Sequence, residues 1–436
     1  MRPIVACATP WGRGAIALVR LSGPDLPRLV RAFVRPKGGW PPPRRARLVE
    51  LFDADGPFDE GLLTHFPAPR SYTGEELVEI SLHGNPLLVE RLLAAAVSAG
   101  ARVAGPGEFT RRAFLNGRLD LCRAEAVLQA IEASTPQGAA LARAGMEGAV
   151  AGLAEGLRDG LIHALSELEA RLDHPGEELV LEDDMALAQR IRDLGARARA
   201  AADTFQAGRR LVEGATVALV GPVNAGKSSL FNALGGSERA LVSEQPGTTR
   251  DVVERRVVLG PVALTLLDTA GERQASGLEA AGQELGRRLA SQADLRVLIL
   301  PAHQLPERLP EGGDLLVANH ADRAGARFEL QGQALLPVSA KTGQGLEQLS
   351  EAIAAALVGE QPGLSGLVIA SQRQRDLLLD LERACEQSAG ALSGEAGAAI
   401  AAEELYAALE SLDRLLGRDT RTEVLDRLFS RFCIGK

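Results

Sequence analysis

Gly221-Pro222-Val223-Asn224-Ala225-Gly226-Lys227-Ser228 has the spacing G-x-x-x-x-G-K-[ST]. It follows the apolar run Ala215–Val220 and precedes the helix-like residues 229–234. A strand, a glycine-rich turn and a helix start wrap backbone N–H groups around phosphate oxygens, with the positive end of the helix behind them. In such a loop Lys227 would reach the β- and γ-phosphates and Ser228 would ligate Mg²⁺. Ala225 and Ser229 belong to the same phosphate-binding set. A glycine-rich turn with a surface lysine is the alternative, and the flanking strand and helix weigh against it.

Four more segments follow in the order of a GTP-binding domain. Gly247-Thr248-Thr249-Arg250-Asp251 offers Thr249 as a second Mg²⁺ ligand sensing the γ-phosphate. Asp268-Thr269-Ala270-Gly271 ends an apolar run, setting Asp268 near Mg²⁺ and the Gly271 N–H at the γ-phosphate. Asn319-His320-Ala321-Asp322 and Ser339-Ala340-Lys341 each end another. The Asp322 carboxylate can accept from both N1–H and the 2-amino group of guanine; adenine lacks that donor edge, so GTP is favoured over ATP. Expected strands at 215–220, 252–259, 262–267, 295–300, 315–318 and 334–338 alternate with helical segments, which argues a mainly parallel sheet covered on both faces.

The hydrolytic machinery is less usual. Small GTPases carry a water-orienting Gln just after the third motif, but here Gly271 is followed by Glu272. Glu272 and Glu279 both lie in the segment that follows, and spacing does not choose between them. Asn224 inside the phosphate loop can offer its side-chain oxygen to a monovalent cation beside the β/γ-phosphates, or simply stabilise the turn.

The chain has 436 residues, 46% of them apolar and 3% aromatic, so several cores built from Leu, Ala, Val and Ile are expected and base-stacking platforms are not. The net charge of −9 argues against a protein that wraps nucleic acid with its whole surface. The charge is uneven, however. Residues 1–50 carry ten Lys/Arg against only Asp25 and Glu50, which leaves room for a local anionic partner. Cys7, Cys122, Cys385 and Cys433 are far apart with no CxxC spacing, as in a reducing compartment. Neither an N-terminal apolar leader nor a run of eighteen apolar residues is present, so a cytoplasmic chain without a membrane segment is expected.

Four zones are expected. Residues 1–118 hold short apolar runs (4–6, 15–21, 77–82) broken by Pro/Gly clusters and read as an α/β domain. Residues 119–210 are Ala/Leu/Glu/Arg-rich, with Leu153, Leu157, Leu161, Leu165, Leu168 and Leu172 at helical spacing and a break at Asp173-His174-Pro175-Gly176. Residues 211–360 hold the GTP-binding motifs. Helical periodicity returns in residues 361–436, at Leu405, Leu409, Leu412, Leu415 and Leu416. The simplest architecture is a helical domain interrupted by the nucleotide-binding domain.

Outside the GTP-binding motifs stand Ala8-Thr9-Pro10-Trp11-Gly12-Arg13-Gly14, Arg20-Leu21-Ser22-Gly23, Ser71-Tyr72-Thr73-Gly74-Glu75, Pro106-Gly107-Glu108-Phe109-Thr110-Arg111-Arg112-Ala113-Phe114-Leu115-Asn116-Gly117 and the terminal Phe432-Cys433-Ile434-Gly435-Lys436. With them the whole chain resembles the tRNA-modifying GTPases of the MnmE (TrmE) family. The resemblance implies a homodimer whose N-terminal α/β domain binds a tetrahydrofolate derivative (5-formyl or 5,10-methylene form). It implies a P-loop GTPase domain inserted in an all-α domain, and work with the FAD-containing partner MnmG in a heterotetramer or larger complex. The product would be an aminomethyl or carboxymethylaminomethyl group on C5 of the tRNA wobble uridine. By resemblance Asn224 becomes a K⁺ ligand with Ser243, Gln245 and Thr248, Ser243 also joining the GTP-binding set. Glu279 becomes the water-orienting residue, acting with Lys227 in catalysis, if one deletion is allowed in 277–282. Arg20, Glu79, Arg118 and Lys436 match folate-contacting positions. A pterin shows the same 2-amino/N3–H donor edge as guanine, so Glu79 would read it as Asp322 reads guanine, while the cations neutralise the folate tail.

Cys433 invites three readings. It superficially fits C-a-a-X, though Gly435 and Lys436 are poor for prenylation; a reactive thiolate near Arg431 and Lys436 and a packed bystander remain. The resemblance favours a catalytic role beside the folate pocket. His83 reads as structural, and Gly12-Arg13-Gly14 lacks the third glycine of a dinucleotide site. Three departures from the family pattern stand out: His320 where Lys is usual, Gly221-Pro222-Val223 where Gly-Arg-Pro is common, and a short stretch between Leu300 and Leu315. A non-catalytic RNA-docking switch is the competing reading, and the N-terminal motifs and Lys436 speak against it.

Overall fold

The computed structural model describes residues 2–173, 182–236, 253–268, 286–310, 312–359, 367–392 and 397–436. The chain divides into two compact units, residues 1–128 with 413–436, and residues 129–412.

In the first unit a seven-stranded sheet has the order β3-β4-β5-β6-β2-β1-β7. Its strands are β1 (Ile4–Cys7), β2 (Ile16–Ser22), β3 (Val34–Pro36), β4 (Arg47–Asp53), β5 (Gly56–Phe66), β6 (Leu77–His83) and β7 (Arg102–Val103). All neighbours are antiparallel except β1 and β7. Alternation assigns the faces: Ala17, Val19 and Leu21 of β2 and Val78, Ile80 and Leu82 of β6 enter the core with Val89, Leu92 and Ala96 of the helix Pro86–Ser98. That helix begins where the Asn85 side chain accepts from Leu87 N and Pro86 fills the first turn. The intervening residues Arg20 and Glu79 therefore share the other face.

The end of the chain belongs to this unit. Leu425, Phe429 and Phe432 pack with Leu121, Ala124 and Leu128. The last residues then run along the start of the helix Glu108–Leu115: Gly107 N donates to Cys433 O (3.3 Å) and Phe109 N to Lys436 O (3.1 Å). Gly435 permits this approach, since at its φ of +98° a Cβ would stand 2.5 Å from Cys7 O.

In the second unit the helices Pro136–Glu147, Ala149–Asp173, Asp184–Asp203 and Phe205–Glu213 precede a sheet. Of the predicted leucine stripe, Leu157, Leu161, Leu165 and Leu168 are buried in Ala149–Asp173, while Leu172 has turned to solvent at the helix end. The strands are β8 (Ala215–Val220), β9 (Val253–Leu259), β10 (Val262–Asp268), β11 (Leu295–Pro301), β12 (Leu315–Asn319), the hairpin β13–β14 (Glu329–Leu330, Gln333–Ala334) and β15 (Leu336–Val338). The six-stranded order β15-β12-β11-β8-β10-β9 is parallel throughout except at β9. Both faces are covered, so the strands are near-continuous apolar runs: Val217, Leu219 and Ile299 pack under Leu230, Phe231 and Ile353, and Leu298 and Leu300 face Leu330 and Leu335. Helices Leu346–Val358 and Gln372–Leu392 follow. Among the described residues no helix is long and apolar enough to cross a membrane.

Candidate functional site

The C-terminal ends of β8, β10, β12 and β15 converge on the phosphate loop, where ligands bind in such sheets. At Gly221 a Cβ would lie 2.2 Å from Ile299 O of β11, so only glycine lets the loop leave the sheet here. Asn224 is exposed and left-handed (φ +66°), a conformation that asparagine tolerates among non-glycine residues. The helix Lys227–Leu234 begins directly after Gly226. Buried Lys227 donates from Nζ to Gly221 O (2.8 Å) and Pro222 O (3.0 Å), which holds the ammonium over the loop; Ser228 and Ser229 are exposed in the first turn. Half-buried Asp268 ends β10 opposite Leu219, one residue before β8 ends.

Asn319 ties the phosphate side to the base side. It is fully buried, donates from Nδ2 to Ala225 O (2.9 Å) and accepts at Oδ1 from Ala340 N (3.2 Å). Its role is thus to hold two loops together. Asp322 is the exposed group of the segment. Ser339 Oγ donates to its Oδ1 (2.7 Å), and this bond, helped by Lys341 and His320, holds the Asp322 carboxyl below the usual carboxylate range. His320 is left-handed (φ +66°), its ring 5.3 Å from that of His303, whose Nε2 lies 3.1 Å from Arg323 Nη1. Burial, then Arg323 and His303, push the His320 pKa below its ordinary value, which favours the uncharged ring at a position where a lysine is usual.

The first unit holds a second constellation. Strand register sets Arg20 beside Glu79, and Arg20 Nε and Nη2 both reach Glu79 Oε1 (2.9 and 2.8 Å). Arg20 Nη1 donates to Gly435 O (3.3 Å), and the guanidinium stands 5.8 Å from the Phe109 ring centroid and 5.9 Å from that of Tyr72. Lys436 is half-buried there; burial, then Arg20, push its pKa down while Glu79 opposes. One carboxylate and two cations thus share a partly desolvated site. Two residues along β2 from Arg20, Ser22 bonds Thr73 (2.7 Å) and Glu75 (2.8 Å), and buried Arg112 pairs with Glu75 (2.8 Å), so part of the motif sequence is structural.

The family description "GTP-binding protein TrmE N-terminus" matches residues 3–118, and "MnmE helical domain" matches residues 121–433. The chain belongs to the MnmE family. A protein of Halorhodospira halophila called tRNA modification GTPase MnmE is 41% identical over 457 residues, covering 99% of this chain and 95% of its own. One of Thermus thermophilus with the same name is 40% identical over 446 residues, covering 100% and 99%. Among solved structures, the G domain of the T. maritima FeoB iron transporter is 29% identical, covering 33% of this chain and 98% of its own with a TM-score of 0.26.

As a member of the MnmE family the chain is a GTP hydrolase of tRNA modification, with GTP as substrate. The structure brings together Asn224, Ala225, Gly226, Lys227 and Ser228 with Asn319, Ser339 and Ala340, and places Asp322 on Ser339. Ser243, Gln245, Gly247, Thr248, Thr249, Thr269, Ala270, Gly271, Glu272 and Glu279 lie outside the described residues. Arg20, Glu79 and Lys436 meet, whereas exposed Arg118 stands beside Gly74, whose Cβ would be 3.2 Å from its Cγ. The Cys433 side chain is exposed. Sequence reasoning assigned no role to His303 or to the ring pair Tyr72 and Phe109. Their signal was long-range strand and loop packing, which no local motif displays.

Proposed function

We propose that this GTPase couples GTP hydrolysis to folate-dependent modification of the tRNA wobble uridine. The observation carrying the reading is Lys436 seated beside the Arg20–Glu79 pair, a site with donors and acceptors for a pterin and cations for a carboxylate tail. Such a folate supplies the one-carbon unit when bound. Glu79 orients the pterin by accepting from its donor edge, and Arg20 and Lys436 neutralise carboxylates, with Arg118 at the rim. Cys433 is the candidate for a thiol function there.

In the second unit, Ser228 and Asp268 offer hard oxygen donors suited to Mg²⁺, with Thr249 as the further ligand. Asn224, Ser243, Gln245 and Thr248 form the proposed K⁺ set, and Glu279 orients the attacking water while Lys227 holds the phosphates. The GTPase module, residues 211–360, is read as an insertion between helical segments 119–210 and 361–436. The close passage of the segments flanking it supports this: Ile369 N donates to Thr204 Oγ1 (2.9 Å), and Gly208 packs on Ile369 O. A homodimer in the cytoplasm, with MnmG as the FAD-binding partner, completes the reading.

Two measurements test it. Mass spectrometry of tRNA nucleosides from cells lacking this protein is expected to show loss of the C5-aminomethyl or carboxymethylaminomethyl uridine; an unchanged profile refutes the function. GTP turnover is expected to be faster in KCl than in NaCl at equal ionic strength, with Asn224→Ala removing most of the difference. Equal rates in the two salts would sink the cation assignment.

A further inference from the structure

Of the basic N-terminal stretch, Arg20 belongs to the second constellation, whereas Arg31, Arg44, Arg45 and Arg47 belong to neither. Those four residues and Arg70 surround the loop between β3 and β4. Arg31, at the end of the helix Leu26–Val30, lies 5.0 Å from the Trp40 ring centroid. Trp40 Nε1 donates to His65 Nδ1 (3.2 Å), which links the loop to β5. Arg44 N donates to His65 O (2.8 Å), and Arg44 Nη2 to Arg70 O (2.6 Å). Arg47 Nη1 donates to Gly38 O and Gly39 O across the same loop. Arg45 follows Arg44 in the loop, and both are exposed, as are Arg31 and Arg70.

Elsewhere arginines of this chain are mostly neutralised: Arg35 pairs with Glu50, Arg91 with Asp53, Arg112 with Glu75, and Arg296 with Asp314. Arg31, Arg44, Arg45, Arg47 and Arg70 bond carbonyls, a ring face or nothing, and none pairs with a carboxylate among the described residues. In a chain of net charge −9 this is a concentrated exception. Carbonyl bonds pre-position guanidinium groups without cancelling their charge, so the surface keeps its potential and its forked donors.

We propose that this surface grips the phosphate backbone of tRNA. The proposal rests on the function proposed above, which brings tRNA to this protein, and adds where it is held. Guanidinium forks match phosphate oxygens, and contacts of this kind position a nucleic acid without reading bases. The one tryptophan in the patch is already covered by Arg31 and edged by His65, so it offers no stacking platform and backbone contact is favoured over base readout.

The test uses the full-length protein, an unmodified tRNA transcript and fluorescence anisotropy between 50 and 200 mM KCl. Each phosphate contact adds roughly 0.7–0.9 to the slope of log K against log salt. Arg45→Gln/Arg70→Gln, whose side chains bond nothing among the described residues, is expected to weaken binding at low salt and lower the slope by about 1.4–1.8. Changing all five arginines to Lys should preserve most of the slope; changing all five to Gln should abolish most of it. GTP turnover and melting temperature of the double variant should match the wild type. An unchanged slope in the folded double variant overturns the proposal. So does a wild type that binds no tRNA at 50 mM salt, in which case the nucleoside profile and a folate titration show separately whether the proposed function survives. A variant that keeps tRNA affinity but loses an acidic protein partner also overturns it, reassigning the surface to protein docking.

Discussion

Asp322→Asn is expected to weaken GTP binding by roughly 10²- to 10⁴-fold while improving binding of xanthosine triphosphate. The physical reason lies in the edge that the carboxylate offers. Two charge-assisted bonds, to N1–H and the 2-amino group, are worth roughly 1.5–3 kcal/mol each. An asparagine keeps one acceptor and turns a donor toward a donor, whereas xanthine carries a carbonyl at C2 and accepts from that donor. The structure favours a clean exchange. Asp322 is exposed, and its Oδ1 accepts from Ser339 Oγ at 2.7 Å, a bond that an amide oxygen can still receive, so the loop should keep its shape. The neighbouring Asn319 does not substitute for it, because both ends of that amide are committed to Ala225 and Ala340. Competition against a fluorescent guanine nucleotide measures the change directly. Because the phosphate loop is untouched, the loss should appear in KM, with kcat near that of the wild type at saturation. Equal GTP affinity in wild type and variant would mean that the base is read elsewhere.

How far the sequence carries depends on the range of the interaction that forms each feature. In the described part of the nucleotide site the strands were legible, because β10 and β12 are apolar runs that end in a motif residue and β8 is one that ends just before Gly221, and a buried parallel strand needs little beyond its own composition. The strand expected at 334–338 was shorter. Gln333 and Ala334 pair back on Glu329 and Leu330, leaving Leu336–Val338 at the sheet edge, where Pro337 costs no central ladder bond. In the first unit the runs 4–6, 15–21 and 77–82 became β1, β2 and β6. Strands β4 and β5 were not legible: β5 carries Asp59, Glu60 and Gly61 in its middle, so its alternation is broken and only its neighbours define it. The contact of Arg20 with Glu79 depends on the register of residues far apart in sequence. No local pattern carries that register, and only the family resemblance named those positions together. Likewise the imidazole of His303 reached the base side of the GTP site by loop packing alone.

Glu79→Gln tests the other constellation, and 5-formyltetrahydrofolate is expected to bind it about 30- to 1,000-fold more weakly by calorimetry. Glu79 Oε1 is already engaged by two nitrogens of Arg20, which leaves Oε2, without a protein donor among the described residues, as the acceptor for a ligand. Glutamine keeps the shape and one acceptor but turns an amide donor into the site, either against the pterin edge or against Arg20. Losing a partner in a desolvated charge pair costs about 2–4 kcal/mol, which sets the range. The substitution also leaves Arg20 and Lys436 without their carboxylate. Lys436 already has its pKa pushed down by burial and by Arg20, with Glu79 opposing, so removing that carboxylate should lower it further and make the remaining affinity more sensitive to raised pH. Packing alone would not produce that signature. GTP turnover without folate should be unchanged in this variant, since Glu79 lies in the other unit. If Glu79→Gln binds the folate as tightly as the wild type, the Arg20–Glu79 pair is a strand-to-strand salt bridge and the one-carbon site must be sought elsewhere.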